Sequence, residues 1–200
     1  SFFQHYPLQE HYPQNPKPTR ASLQSRGVLD AQGRIVPRRY VAHYVGDYDA
    51  AAWLYHQLPR MWRDPARGRT PLSWAFNPNL AERFPLGMAW AREQRTTNDC
   101  FVAGDSGAGY VNPGFLAEPR THSGLPSGVA AWEAHCRKFY RQWDLSLTGF
   151  IIDGYAPAMS AEVLEAYARF SPDGIVAQKV ARQGMHGALP FIRMRTDLDG

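Results

Sequence analysis

The sequence predicts an α/β protein of parallel βα repeats, TIM-barrel-like or a partial barrel, with an extended Pro-rich N-terminal arm. Three observations predict it. Short apolar or β-prone runs at 40–45, 70–76, 100–103, 147–152, 174–178 and 189–194 alternate with stretches of helical spacing. Most of these runs end on a polar or glycine-containing break, as strands do before crossing to a helix. Residues 1–39 differ in composition, with Pro7, Pro13, Pro16, Pro18 and Pro37 and a turn signal at Asp30-Ala-Gln-Gly33. Proline at that density argues against helix or central strand, so 1–39 is expected to be an extended arm or linker and 40–200 the βα-repeat domain.

Taken in order, Tyr40 to Val45 forms a first strand that ends at Gly46-Asp-Tyr-Asp49. Ala51, Leu54, Tyr55, Leu58 and Trp62 then recur near helical spacing over 50–62, with Asp49 suited to cap the helix. Thr70 to Phe76 is a second strand, terminated by Asn77-Pro78, and a short helix from Leu80 and an irregular stretch lead on to Asp99. Cys100 to Ala103 reads as a buried third strand. Gly128 to Trp143 reads as a helix and Leu147 to Ile152 as a strand ending on Asp153-Gly154. Ser160 is placed to cap a helix over 161–170, with Glu162 in its first turn. Two further strands follow. Six strands do not complete an eight-stranded barrel, so a partial or truncated one is expected.

Composition bounds the function. With 44% hydrophobic and 20% charged residues, the 200-residue chain fits a soluble globular protein. No window approaches the roughly 18 unbroken apolar residues of a membrane span. The chain opens Ser1-Phe-Phe-Gln-His5 without a signal peptide, consistent with a processed terminus or a part of a larger protein. The net charge of +4 is almost all arginine, since lysine occurs only at 17, 138 and 179. Those arginines are scattered among acids, which argues against a nucleic-acid partner. Cys100 and Cys136 match no metal-ligand spacing and read as two buried thiols more readily than as a disulfide. Aromatic residues make up 13% of the chain, and aromatic rings suit a carbohydrate partner because sugar C–H faces pack on them.

In parallel α/β folds ligands bind at the carboxyl ends of the strands. Those ends carry Asp47 and Asp49, then Asn77, then Asp105, Ser106 and Tyr110, then Asp153, then Gln178 and Lys179, then Arg195 and Asp197. Asp47, Asp105 and Asp153, supported by Asp49, are therefore the candidate catalytic acids, with Trp74, Asn77, Ser106 and Tyr110 as substrate contacts. Two carboxylates across a sugar ring act as acid and base, or as acid and nucleophile. Retaining hydrolysis sets them about 5–5.5 Å apart and inverting hydrolysis about 6.5–9.5 Å. Asp99 precedes its strand and belongs to the opposite, stabilising end.

Other chemistries fit less well. His43 lies four residues before Asp47, but no second histidine follows at ligand spacing, and His122 and His186 are isolated. No metal and no cofactor are expected. The run Gly104-Asp-Ser-Gly-Ala-Gly109 lacks the Gly-Lys-Ser/Thr ending of a phosphate loop. Ser106 also lacks the Gly-x-Ser-x-Gly elbow of a serine hydrolase. The readings that stand beside hydrolysis are a non-catalytic carbohydrate-binding module and a metal-dependent deacetylase or esterase using Asp47 and Asp49.

With Gly107-Ala-Gly-Tyr-Val-Asn-Pro113 in view, the chain resembles the GxGYxYP family of putative glycoside hydrolases. Gly46-Asp-Tyr-Asp49 is similar to that family's Asp-Gly-Asp-Asn-like run. Arg67-Gly-Arg-Thr-Pro-Leu-Ser-Trp74 approximates its Arg-Gly-x-Pro-x-x-Trp segment with one residue inserted. Thr97-Asn-Asp-Cys-Phe-Val-Ala-Gly-Asp-Ser-Gly107 looks like the lead-in to the name motif. The resemblance spans roughly residues 40 to 155, and it departs from the pattern at Asn112, where the family carries its second tyrosine. It implies a carbohydrate-active, extracytoplasmic or secreted domain with an α/β barrel-like fold.

Overall fold

The computed structural model describes residues 5–48, 50–120, 122–177 and 183–193. Its strands are β1 (Tyr44–Tyr48), β2 (Leu72–Phe76), β3 (Asp99–Ala103), β4 (Leu147–Ile151), β5 (Gly174–Ala177), β6 (Gly184–His186) and β7 (Leu189–Arg193). The helices are α1 (Arg20–Ser25), α2 (Ala51–Trp62), α3 (Pro85–Glu93), α4 (Val129–Gln142) and α5 (Ala161–Phe170). The seven strands form one sheet in the order β1-β2-β3-β4-β5-β7-β6, parallel except for the β6–β7 pair. The fold is thus mixed α/β with a mostly parallel sheet and alternating strands and helices. Among the described residues the sheet is open, with β1 and β6 at its edges, and no pairing closes it into a barrel.

Sequential parallel neighbours joined by right-handed crossovers put their helices on one face of a sheet. The core follows that rule. Leu54, Leu58 and Trp62 of α2 join one buried cluster with Met88 of α3, Val129, Trp132, Cys136 and Phe139 of α4, and Val163, Tyr167 and Phe170 of α5. Trp74, Phe76 and Phe101 meet Trp62 of α2 at ring-centroid distances of 4.7, 6.1 and 6.5 Å, so these strand residues face the helices. On the other face the ring of Tyr44 crosses the sheet. A Cβ on Gly149 would lie 2.6 Å from Val102 and 3.0 Å from Tyr44, and Tyr44 stacks on Phe150 at 6.3 Å. Because β1 and β4 would stand about 14 Å apart in a flat sheet, the sheet curls around this tyrosine.

The seam between β3 and β4 has a single registered pair, Ala103 with Thr148. Its lower part is filled by the N-terminal stretch. The Gln14 carboxamide donates to the Phe101 carbonyl and accepts from the Phe101 amide, as a neighbouring strand would. Tyr12 is buried, stacks on Trp143 at 4.4 Å and donates its amide to the Gln142 carbonyl at 2.7 Å. Asn15 donates to the carbonyls of Thr96 and Asp99, both at 2.8 Å.

Several elements differ from expectation. Within the proline-rich stretch a short helix, α1, forms after Pro18, where Thr19 accepts from the Ser22 amide at 3.2 Å. Where a short helix from Leu80 and then an irregular stretch were expected, the chain holds a 3-10 turn at Pro78–Glu82 and the helix α3, which opens with Pro85 in its first turn. There the proline ring presets φ and no intrahelical donor is lost. β1 starts four residues later than expected and includes Asp47. The N-cap of α2 is Ala50, while Asp49 lies outside the described residues. Ser160 does cap α5, accepting from the Val163 amide at 3.3 Å. Cys100 is exposed, Cys136 is buried, and both are free thiols. No helix among the described residues is long and apolar enough to cross a membrane.

Candidate functional site

At the carboxyl end of β3 the chain turns back into the sheet. Asp105 and Ser106 both adopt left-handed backbone conformations, with φ of 53° and 63°. An L residue held there costs roughly 1–2 kcal/mol, less for aspartate than for serine. Tertiary hydrogen bonds hold the turn. The Ser106 amide donates to the Phe150 carbonyl at 2.8 Å, its hydroxyl accepts from the Ile152 amide at 2.8 Å, and its carbonyl accepts from the Tyr167 hydroxyl at 2.9 Å. Ser106 therefore continues the β3–β4 seam above the last registered pair and has no exposed surface. Gly107 follows with φ 129°, and a Cβ there would lie 2.9 Å from the Cys136 sulfur, so both backbone and space call for glycine.

β4 reaches the same place from the other side. Its pairing with β5 shifts register between Thr148 and Ile151, an irregularity that re-aims the strand end. Ile151 enters the core, Ile152 donates to Ser106, and Asp153 follows. Asp105 retains 5% of its surface and Asp153 4%. Each is one residue from a partner in the same Ser106–Ile152 hydrogen bond. Below them, complete burial drives the phenol pKa of Tyr167 well above its usual value, and the charges of Tyr140, Cys136 and Asp153 push the same way. Tyr167 therefore stays a neutral donor to the turn.

The other candidates are placed as follows. Asn77 ends β2, is 4% exposed, and accepts from the Asn79 amide at 3.2 Å, capping the 3-10 turn. Tyr110 is exposed on the loop after β3. Asp47 belongs to β1, at the edge of the sheet two strands from β3. Asp49, Gln178, Lys179, Arg195 and Asp197 lie outside the described residues. Trp74 sits on the helix face of β2 instead of over the strand ends, buried against Trp62. Its indole nitrogen donates to Asp99 Oδ1 at 2.8 Å, because strand alternation turns position 74 to the same side as Phe76. Ser106, expected at the surface of the site, is interior to it.

Asp99 lies at the amino end of β3, on the stabilising side. Its Oδ2 accepts from Arg67 Nη1 at 2.5 Å and from the Thr96 amide at 2.6 Å. The Arg67, Trp74 and Asp99 positions picked out by the sequence motifs thus form one buried hydrogen-bonded unit, which aligns β2 with β3. His43 and His122 are exposed and His186 half-buried. Among the described residues no group of three or more His, Cys, Asp or Glu side chains is placed to hold a metal ion. One exposed residue beside the site escaped the sequence reading: Tyr155, two residues after Asp153. An aromatic closely following a strand-end Asp-Gly was the available signal.

The model of the GxGYxYP putative glycoside hydrolase C-terminal domain matches residues 38–199. The chain belongs to this family. The GxGYxYP domain also resembles, at a TM-score of 0.56 and 20% identity, the crystal structure of a putative hydrolase from Bacteroides thetaiotaomicron VPI-5482. The alignment covers 83% of this chain and 32% of that one, so this chain spans about a third of that structure's length. At that identity the likeness shows the fold. No curated protein sequence matches the GxGYxYP domain significantly.

Proposed function

We propose that this GxGYxYP domain hydrolyses a glycosidic bond of a carbohydrate, with Asp105 and Asp153 as its paired carboxylates. One protonates the leaving oxygen as the bond from C1 breaks. The other either draws a proton from the water that attacks C1, or attacks C1 itself and is then displaced by water deprotonated by the first. In both routes hydroxide is delivered to C1 and hydrogen to the leaving group. The observation that carries this reading is the turn at Asp105 and Ser106. Two consecutive non-glycine residues in left-handed backbone, fixed by β4 and Tyr167, are a costly arrangement that ties the residue after Asp105 to the residue before Asp153. Such local strain concentrates at active sites, where it fixes geometry. Family membership supports the reaction class. Asn77 and Tyr110 are the proposed substrate contacts, Asp47 and Asp49 further candidate acids, and Ser106 a positioning residue. The extracytoplasmic setting belongs to the same proposal and rests on the family alone.

A second reading, a carbohydrate-binding domain without turnover, draws support from the near-complete burial of both carboxylates beside exposed tyrosines. One experiment separates the two. Release of reducing ends from a panel of polysaccharides and aryl glycosides is measured for the wild type, Asp105→Asn and Asp153→Asn. Loss of about 100-fold or more in both variants, with folding intact by circular dichroism, supports hydrolysis by this pair. Wild-type turnover that survives both substitutions removes these residues from the mechanism. Retained binding without wild-type turnover establishes the second reading.

A further inference from the structure

Tyr155 and Tyr110 stand on the two loops that carry the candidate acids, and we propose that they form an aromatic platform for a pyranose ring. This rests on the reading of Asp105 and Asp153 as the substrate-side carboxylates. Tyr155 follows Asp153 by two residues, yet it is 97% exposed while Asp153 is 4% exposed. Tyr110 follows Asp105 by five and is 66% exposed. Isolated exposed tyrosines need no explanation. Two of them on the same two loops as a pair of buried carboxylates, after the carboxyl ends of adjacent strands, give the composition of a sugar site: apolar faces with few, fixed polar groups.

The platform is anchored. A Cβ on Gly114 would lie 2.1 Å from the Pro157 carbonyl oxygen and 3.1 Å from the Ala156 Cβ. The loop carrying Tyr155 therefore rests directly on the loop carrying Tyr110, with no space for a side chain between them. At the other end, Gly109 lies against Asn79, its Cβ position 3.3 Å from the carboxamide nitrogen. Asp105 and Tyr110 thus lie on the loop after β3, Asp153 and Tyr155 on the loop after β4, and the two loops are in contact at Gly114 and Pro157. A tyrosine ring offers a flat apolar face to the C–H groups of a sugar and a hydroxyl to its oxygens. The ligand class that fits is a pyranose with a continuous C–H face, as in cello-, xylo-, manno- and chito-oligosaccharides.

The test measures binding of those four oligosaccharide series by calorimetry, and hydrolysis of any series that is cleaved, for the wild type and for Tyr155→Ala, Tyr155→Trp and Asp153→Asn. The expected result is that Tyr155→Ala weakens binding, and raises KM, by about tenfold with kcat little changed. Tyr155→Trp retains binding, because its ring face persists. Asp153→Asn binds but does not turn over. Tyr155→Ala with wild-type affinity and KM, its fold intact by circular dichroism, overturns the platform and leaves the catalytic reading standing if Asp153→Asn is inactive. If Tyr155→Ala loses binding while Asp153→Asn hydrolyses normally, the platform stands and the catalytic assignment fails. No binding of any series by the wild type overturns the platform outright.

Discussion

The Ser106 hydroxyl accepts the backbone amide of Ile152 at 2.8 Å, and this one bond ties the turn that follows Asp105 to the end of β4 that precedes Asp153. Removing it leaves a backbone donor without its acceptor in a closed site. Ser106→Ala is expected to destabilise the fold by about 1–3 kcal/mol, read from urea unfolding. Ser106→Gly loses the same bond but relieves the left-handed φ, so it should cost about 1 kcal/mol less than alanine. The reverse order would mean that backbone strain is not stored at this turn.

The Asp99 carboxylate serves three donors at the opposite end of the sheet. Asp99→Asn removes the charge that pairs Arg67 in a largely buried position, and a loss of about 3 kcal/mol is expected. Carbohydrate binding measured below the melting transition should not change. A selective loss of binding at unaltered stability would place Asp99 in the site.

Much of this architecture was legible in the sequence, and the exceptions have physical causes. A run such as Phe101–Ala103 announces a strand because apolar residues with no helical period fit a strand buried on both faces. Ser160 announces a helix because a hydroxyl before Ala161 and Glu162 has one obvious use. Trp74 was misread because the face a strand residue takes depends on register against its neighbours, which aromatic character does not encode. Ser106 was misread because only the neighbouring end of β4, 44 to 46 residues away, shows that this polar loop residue folds back as a ladder partner. The helix α3 was missed because Pro85 and Gly87 punctuate its sequence, although proline in a first turn is favourable and Gly87 admits the Phe84 ring. β6, three residues and two of them exposed, carries no pattern to read.

Gly114→Ala is a test of the contact between the two site loops. Its Cβ would overlap a backbone oxygen, which cannot rotate away, so the loop over 153–158 must shift. The expected outcome is a small loss of stability, about 1–3 kcal/mol, together with weakened oligosaccharide binding. Unchanged binding at reduced stability would separate the loop contact from the site.

Alkaline pH should unfold this domain by identifiable groups. Burial raises the Cys136 thiol to about 12 and holds the Tyr140 and Tyr167 phenols well above their usual range. Between the ordinary thiol value and 12 the unfolded chain binds fewer protons than the folded one, so stability falls as pH rises. Arg92 acts in the opposite sense. Burial lowers its guanidinium to about 9, so above that pH the unfolded chain holds a proton that the folded one lacks, and stability gains. Between about pH 9 and 10 the thiol and the guanidinium offset one another, and a net decline sets in as pH passes the ordinary phenol value of about 10. Cys136→Ala should lower stability at pH 8 but flatten the decline towards pH 10.5; an unchanged slope would exclude the thiol as a cause.

The clasp of Gln14 on Phe101 joins residues 87 apart, and the bond from the Gln14 amide to Asp144 joins residues 130 apart. On the ribosome, the segment that fills the β3–β4 seam emerges before either strand exists. It must wait through the synthesis of β1, β2, β3 and α4 before Trp143 arrives to receive Tyr12. Loop closure over such separations is slow and entropically costly. The amino-terminal stretch is therefore the last part of this half of the fold to lock, because its docking surface is incomplete until Asp144 has been made.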